Sequence, residues 1–330
     1  MKFRTVTPVA YTPCISHSKR LLLLGSCFSE NIGNKLQAYR FQTVINPFGV
    51  IYNPFSIAQS LERLIENRPF SAEELFEADG LWHSWAHHGA FSHREQSRTL
   101  QQINARYGEA AKWLPYVDGL ILTFGSSWVY YYQDYPVANC HKLPADEFTL
   151  RQITVEEIID RYVPLLTDLQ KRNKDLRVIL SVSPVRYPAT AYRSNSTNKA
   201  ILLLAAEALS RQLDFVHYFP AYEILIDDLR DYRFYADDLL HPSVLGVECI
   251  WQRFTEAYLD MPTRRLLPRI LKINNALAHR PLHNDTESYQ RFVRQTDAQV
   301  AQLEAELKSC VAKALPENDT VPRESLTNNH

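Results

Sequence analysis

The sequence predicts an α/β fold built on a parallel sheet, and three observations support this prediction. Short apolar runs alternate with longer stretches of helical periodicity, which is the pattern of successive βα units. The runs are almost uniformly apolar, as expected for strands buried on both faces. The composition is that of an ordinary globular protein, since 45% of the 330 residues are hydrophobic and 22% are charged. A chain of this length forms one large domain or two modest ones.

Five apolar runs are the predicted strands. The first, residues 20–25 (RLLLLG), is too short and too uniformly apolar for a surface helix, so we expect a buried strand. The second ends at Asn46-Pro47-Phe48-Gly49, which has the composition of a turn. The remaining predicted strands are 41–45, 119–124, 177–181 and 215–218.

Helical patterns separate these runs. Residues 29–40 place Ile32, Leu36 and Tyr39 on one face, and Pro54 begins the next helix, where a missing N–H has no cost. The stretch 79–93, rich in His and Trp, predicts irregular structure. The predicted helices of this first domain are 29–40, 54–66, 95–113, 155–171, 196–212 and 243–259.

The character of the chain changes after residue 260. Helical, charged patterns cover 266–277 and 285–315, and Val293, Val300, Leu303 and Leu307 recur at nearly heptad spacing. This pattern predicts a helix that packs on the domain or binds a partner helix, so self-association is one candidate role. The polar residues at the end predict disorder. We therefore expect three parts, namely a domain over 1–260, a helical extension over 261–315 and a tail over 316–330.

Composition limits the classes of partner. The formal charge is 36 − 37 = −1, which gives no support to nucleic-acid binding. The amino-terminal residues lack the apolar run of a signal peptide, and the cluster at 21–24 is far shorter than the ~20 residues needed to span a bilayer. The cysteines are odd in number and widely spaced, which indicates a reducing compartment and no zinc site. The sequence thus predicts a cytoplasmic protein without membrane span, metal or cofactor; the cysteines are Cys14, Cys27, Cys140, Cys249 and Cys310.

A first candidate motif, Gly25-Ser26-Cys27-Phe28-Ser29, lies where the first strand gives way to a helix. Ligands of open α/β sheets bind at this carboxyl edge. The unpaired N–H groups of the helix favour a thiolate, or act as oxyanion donors for a serine nucleophile. A buried structural cysteine explains the same motif equally well, because free cysteines are among the most buried residues.

A second motif, Asp238-Leu239-Leu240-His241, lies in the loop before the helix 243–259. A carboxylate three residues from a histidine can orient the imidazole and stabilise its protonated form. An ordinary capping or salt-bridge role is an alternative of comparable weight.

Together, the two motifs resemble those of the GDSL/SGNH hydrolase superfamily, and the chain is more closely similar to the GSCFA-domain family. The similarity runs from about Phe3 to Tyr258. It implies a three-layer α/β/α sandwich with a five-stranded parallel sheet, as in flavodoxin-like folds. Further matching segments are Asn46-Pro47-Phe48-Gly49, Tyr52-Asn53-Pro54, Asn139-Cys140-His141-Lys142, Ser183-Pro184-Val185-Arg186, Tyr218-Phe219-Pro220-Ala221-Tyr222-Glu223 and Arg230-Asp231-Tyr232-Arg233-Phe234-Tyr235.

The resemblance also implies site residues. Gly49 matches the glycine whose N–H binds the oxyanion in the superfamily. The usual Gly-x-Asn-Asp block reads Gly125-Ser126-Ser127-Trp128 here, so Ser127 or Asn139 is the candidate for the missing asparagine. Aligning the strand ends places Cys27 at the nucleophile and Ser26 at the preceding Asp, which favours Cys27 with Ser26 as the alternative.

Other polar residues are candidates for substrate binding. Arg186, Lys199 and His141 could bind an anionic or acylated sugar, and surface salt bridges explain them equally well. The group His83, His87 and His88, with Trp82 and Trp85, follows no known metal-ligand spacing and is better interpreted as a lid or pocket wall. The family commonly has a histidine after Ser-Pro-Val-Arg, where this chain has Tyr187.

The sequence therefore predicts a hydrolase of esters or thioesters, similar to carbohydrate O-acyl esterases, that works through a covalent acyl-enzyme. In this scheme His241 deprotonates Cys27 or Ser26, and Asp238 holds His241. The expected substrate is a small molecule or an acylated saccharide. An O-acyltransferase acting on a saccharide and an inactive binding or scaffold protein are the alternatives.

Overall fold

A five-stranded parallel sheet lies at the centre of the computed structural model, which describes residues 5–186, 192–282 and 285–314. The strand order is β5-β4-β3-β1-β2, and every neighbouring pair is parallel. This is the flavodoxin-like order, in which β1 and β3 are neighbours. The strands are β1 (Arg20–Gly25), β2 (Gln42–Ile45), β3 (Gly119–Phe124), β4 (Arg177–Val182) and β5 (Val216–Phe219).

Eight longer helices cover the sheet or extend from it among the described residues. Each predicted helix is present, and the boundaries differ by a few residues at most ends. The helices are α1 (Cys27–Ala38), α2 (Pro54–Ile65), α3 (Gln96–Trp113), α4 (Val155–Arg172), α5 (Tyr192–Gln212), α6 (Val244–Tyr258), α7 (Met261–Leu277) and α8 (Glu287–Ala314).

The side chains of β1 show why the fold has three layers. Leu22 and Leu24 belong to an apolar cluster with α2, α3, α4 and α5, whereas Leu21 and Leu23 belong to a second cluster with α1, α6 and α7. All four leucines are fully buried. Successive side chains of a strand point to opposite faces, so a strand covered on both faces must be apolar at every position. The predicted α/β/α sandwich is confirmed.

The carboxyl-terminal helices pack on the second cluster. Ile270 and Ile273 of α7 and Leu303 of α8 are buried there, and Val300 and Leu307 lie partly buried against it. The apolar spacing in α8 thus serves packing on the domain. The predicted disordered tail, 316–330, lies outside the described residues. None of the described helices is long and apolar enough to cross a membrane.

The structure departs from the sequence prediction in small strands. Two of them, Phe76–Ala78 and Leu81–His83, form a hairpin partly within the stretch expected to be irregular. A three-stranded antiparallel sheet of Trp128–Tyr132, Tyr135–Val137 and Thr149–Gln152 follows β3 and was not predicted. Helix α1 begins at Cys27 rather than at residue 29.

The turn between β1 and α1 is tightly constrained. Gly25 has φ +141°, and a Cβ at this residue would lie 2.3 Å from the carbonyl oxygen of Thr123 on β3. The Gly25 N–H donates to the Asn46 side chain (3.0 Å), and the Gly25 carbonyl accepts from the Ile51 N–H (3.0 Å). Only glycine fits this conformation without displacing the neighbouring strand.

We expect Gly25→Ala to lower the free energy of unfolding by about 3 kcal/mol or more, because it adds both backbone strain and a clash with β3. Urea denaturation measures the change. Gly108→Ala is the matched control, since Gly108 lies inside α3 with no atom within 4 Å of its added Cβ. There the gain in helix propensity should stabilise the protein by about 0.5–1 kcal/mol. Wild-type stability in the Gly25 variant would contradict the tight turn.

Candidate active site

The carboxyl ends of β1 and β3 form the crevice where this strand order binds ligands. After β1 the chain enters α1 on one face of the sheet, and after β3 it reaches α4 on the other face. Neighbouring strands whose connections leave to opposite faces open a gap at their carboxyl ends. Cys27, the first residue of α1, lies at this switch point.

Ser26 and Cys27 differ in what their side chains do. The Ser26 hydroxyl is 1% exposed and accepts the Phe28 N–H (3.3 Å), so it caps α1. Cys27 is half-buried. Burial raises the pKa of the Cys27 thiol, while the N–H groups of the first turn of α1 and the charge of Lys199 act to lower it. Of the two candidate nucleophiles, Cys27 is the more accessible.

Lys199 lies inside the protein rather than on a substrate-binding surface. It is 2% exposed, and its Nζ donates to the carbonyl oxygens of Gly125 (2.9 Å) and Ser183 (2.8 Å). These carbonyls follow the ends of β3 and β4. Burial lowers the pKa of Lys199 to about 7, an effect that the nearby Cys27 opposes and Arg186 strengthens. The sequence suggested substrate binding or a surface salt bridge for Lys199 and gave no sign of its burial.

The Asp238 carboxylate holds the His241 ring. Asp238 Oδ2 lies 2.6 Å from His241 Nδ1, and Oδ1 accepts the N–H groups of Leu240 (2.9 Å) and His241 (3.0 Å). These backbone and imidazole hydrogen bonds lower the pKa of Asp238 to about 2. An ionised carboxylate only accepts, so Nδ1 is the donor and the neutral ring keeps its lone pair on Nε2. No partner of Nε2 is found in the described part of the chain.

The loop that carries this pair is itself well ordered by hydrogen bonds. Tyr235 and Pro242 form an isolated bridge, and the Ala236 N–H donates to the His241 carbonyl (2.8 Å). Leu239 takes up a left-handed conformation with φ 59°, which closes the turn. The histidine is therefore fixed at the backbone as well as at its ring.

Helices α1 and α6 bring the two motifs to the same end of the molecule. Lys35 of α1 pairs with Glu248 of α6, and further along both helices Tyr39 stacks on Trp251 with ring centroids 5.5 Å apart. Both contacts advance in the same direction, so the two helices run broadly parallel. Cys27 begins α1, and His241 lies three residues before α6 begins.

Electrostatics also relates the two motifs. Arg186 acts on the pKa of Lys199, which in turn interacts with Cys27. The same guanidinium acts to lower the pKa of Tyr235, which burial raises, and Tyr235 belongs to the loop of His241. These interactions relate Cys27, Lys199, Arg186 and Tyr235 by charge alone. Contact between Cys27 and His241 remains a prediction.

The residues expected to complete the oxyanion hole have other partners. The Gly49 N–H donates to the Asn46 carbonyl (2.8 Å), and Asn139 Oδ1 accepts the His141 N–H (2.8 Å). Ser127 is fully buried, and its hydroxyl donates to Asn198 Oδ1 (2.8 Å). An oxyanion role would require Gly49 and Ser127 to leave their present partners, whereas Asn139 would donate through its Nδ2 and could keep its contact with His141. These assignments remain predictions.

Asn46 is a residue of this site that sequence analysis treated only as part of a turn. Its side-chain oxygen holds the Gly25 N–H, and its Nδ2 is buried without a hydrogen-bond partner among the described residues. The signal available in the sequence was an asparagine next to proline directly after a strand.

A group of four histidines lines the region beside the turn that follows β2. A Cβ at Gly49 would lie 2.4 Å from the Cβ of His88, so backbone and ring are in close contact there. His141 Nε2 lies 2.9 Å from the Ser84 carbonyl oxygen, and burial lowers the pKa of His141 to about 4. His87 is completely enclosed, and burial lowers its pKa to about 3. The interpretation of His83, His87 and His88 as a lid or pocket wall stays a prediction, and His141 is the fourth histidine of the group.

No group of three or more His, Cys, Asp or Glu side chains among the residues that the structure describes is arranged to hold an ion.

Comparison with known proteins identifies a family. The model of the GSCFA family matches residues 20–254, and that of the GSCFA domain protein C-terminal domain matches residues 270–311. No curated protein matches the sequence.

Two solved structures are similar in part. One is described as a putative platelet activating factor from Streptococcus pneumonia (14% identity, 72% of this chain and 83% of that chain, TM-score 0.38). The other is a carbohydrate esterase family 3 protein from Talaromyces cellulolyticus (10% identity, 77% and 99%, TM-score 0.32). Similarity at this level carries no argument about chemistry.

We expect Ser26→Ala to lower the free energy of unfolding by about 1 kcal/mol, because it removes the side-chain cap of α1. Cys27 should stay reactive towards iodoacetamide in this variant. Thr154→Ala, which removes the cap of α4, is the matched control and should have a similar cost. Loss of Cys27 reactivity in the Ser26 variant alone would contradict a purely structural role for this serine.

We expect His87 to make the protein sensitive to acid. The unfolded state binds a proton near pH 6.5 while the folded state stays neutral to about pH 3, so stability falls as pH falls through this window. His87→Gln should flatten the plot of unfolding free energy against pH by up to about 1.4 kcal/mol per pH unit. His279→Gln, at an exposed position, is the control. Equal slopes in wild type and His87→Gln would show that His87 is not held neutral.

Proposed function

Since the chain belongs to the GSCFA family, we propose that it is a hydrolase of esters or thioesters, similar to carbohydrate O-acyl esterases. Cys27 is the proposed nucleophile, His241 the base and Asp238 the residue that orients the base. The observation that carries the proposal is the 2.6 Å contact between Asp238 Oδ2 and His241 Nδ1, which leaves Nε2 free to accept a proton. The shared direction of α1 and α6 supports the approach of Cys27 to this base, since both residues precede the Lys35–Glu248 contact.

The proposed reaction has two steps, acylation of Cys27 and hydrolysis of the acyl-enzyme. In the first, His241 Nε2 takes the thiol proton of Cys27 while the sulfur attacks the acyl carbonyl carbon. Collapse of the tetrahedral intermediate breaks the bond to the alcohol, which leaves with the proton from His241. In the second, His241 deprotonates a water molecule, which attacks the thioester, and the sulfur leaves and regains the proton.

The oxyanion needs donors at the start of α1. The N–H groups of the first turn already act on the Cys27 sulfur, so the Cys27 N–H is the best supported donor. Gly49 is a second candidate once its turn releases Asn46. Arg186, half-buried at the end of β4, is the candidate to bind the acylated saccharide.

We expect the protein to hydrolyse p-nitrophenyl acetate and to show one acetyl adduct by intact mass. Cys27→Ala and His241→Ala should abolish both signals. Asp238→Asn should lower turnover by about two orders of magnitude, because the amide no longer fixes the tautomer of His241. Asp237→Asn is the matched control, since its side chain lies on the surface one residue away and should leave turnover unchanged.

Three outcomes would redirect the proposal. Turnover that survives Cys27→Ala and disappears in Ser26→Ala would assign the nucleophile to Ser26. An absence of both adduct and turnover in the wild type would favour a binding or scaffold role. Transfer of the acetyl group to an added saccharide faster than to water would identify an acyltransferase with the same acyl-enzyme.

A further inference from the structure

Lys199 is a buried ammonium group at the crevice of the sheet. It bridges the ends of β3 and β4 through the carbonyls of Gly125 and Ser183, and β1, which leads into Cys27, is the neighbour of β3. A charge so deep in a protein is costly unless it is hydrogen-bonded and paired. The carbonyls supply hydrogen bonds but no negative charge.

The ammonium group has one donor left. Lysine carries three N–H bonds, of which two go to Gly125 and Ser183, while the Tyr222 ring lies 5.9 Å from Nζ. No carboxylate pairs with Lys199 in the described part of the chain. Strand register places Cys27 near this lysine, because Gly25 on β1 pairs with Thr123 on β3, and Cys27 and the Lys199 partner Gly125 each follow two residues later. A negative charge at Cys27 would favour the ammonium form of Lys199.

Other charged groups also affect the ionisation of Cys27 and Lys199. Glu30, exposed in the first turn of α1, disfavours a thiolate at Cys27. Arg186 disfavours an ammonium group at Lys199, and Tyr222 contributes its ring. Lys199 is therefore the side-chain charge that favours ionised Cys27.

We propose that Lys199 is a positioning residue that acts through Cys27: its ammonium group, fixed by two strand-end carbonyls, stabilises the thiolate. This rests on the proposed function only in taking Cys27 as the nucleophile. Lys199 would stabilise the charge on the sulfur, while neutral His241 accepts the proton, and no covalent step involves the lysine.

The rate of Cys27 alkylation by iodoacetamide tests the proposal without any need for ester turnover. Peptide mass spectrometry follows each cysteine from pH 6 to pH 10, and exposed Cys310 is the internal reference. We expect Lys199→Met to slow alkylation of Cys27 about tenfold at pH 8 and to move its midpoint to higher pH. Glu30→Gln should move the midpoint the other way. Lys112→Met, at an exposed lysine of α3, should change nothing.

A reciprocal measurement covers the case in which Lys199→Met does not fold. In protein with ¹³C-labelled lysine, NMR titration follows the Lys199 side chain in wild type and in Cys27→Ala, where the lysine and its carbonyl partners remain. Loss of the thiolate should lower the midpoint of the Lys199 titration. An unchanged Cys27 midpoint in folded Lys199→Met, or an unchanged Lys199 titration in Cys27→Ala, overturns the proposal.

These results separate the two proposals. Shifted alkylation in a protein that hydrolyses no ester would support the pair and contradict the hydrolase. Normal hydrolysis through Cys27, with no effect of Lys199→Met on either alkylation or the pH profile of turnover, would support the hydrolase and leave Lys199 a structural residue.

Discussion

The carbonyl oxygen of Thr123 comes so close to Gly25 that a side chain at residue 25 has no room, and the site depends on this approach. It sets how far β1 extends before the chain turns into α1. Asn46 fixes the same turn from the other side by accepting the Gly25 N–H. Three strands thus determine where Cys27 stands, and its position follows from the sheet rather than from a flexible loop.

The same neighbourhood explains why so much polar backbone is tolerated in the interior. The Tyr52 carbonyl accepts the N–H groups of both Gly125 (2.7 Å) and Ser126 (3.0 Å), so the segments after β2 and β3 satisfy each other. The carbonyl of Gly125 then accepts from Lys199. Buried polar groups need partners, and at this edge the partners come from successive strand ends. A connected network of this kind is rigid, which suits a site that must hold a nucleophile.

The central sheet could be predicted because a strand covered on both faces must carry apolar side chains at every position. Leu21 to Leu24 are all buried, and their two directions are filled by different helices, so the sequence signal is strong. The antiparallel sheet after β3 has no such signal. Its Tyr130 and Leu150 are exposed, and its order depends on pairings with strands that lack a regular apolar alternation.

The site divides in the same way. The contact of Asp238 with His241 was predictable because the two residues lie three positions apart, and this local spacing sets it. That of Ser127 was not, since its partner Asn198 is 71 residues away and comes to it only through the packing of α5. The burial of Lys199 was the hardest feature to predict. Its partners are main-chain carbonyls, which every residue type carries, so the sequence does not reveal them. A lysine in an amphipathic helix is normally solvated.

Burial shifts the pKa values of the two ionisable groups at the switch point in opposite directions, and in both cases it disfavours the charged form. It raises the pKa of the Cys27 thiol and lowers that of Lys199, so each alone would be held neutral. An ammonium group at Lys199 and a thiolate at Cys27 would stabilise each other, while the thiol proton passes to His241, whose imidazolium is matched by Asp238. In this division the lysine favours the charge on the sulfur and the histidine accepts the proton. A serine would gain little from the lysine, because its hydroxyl is too weak an acid for one nearby ammonium group to ionise it. Stabilisation by the buried Lys199 ammonium group is therefore effective for a cysteine at position 27 and not for a serine.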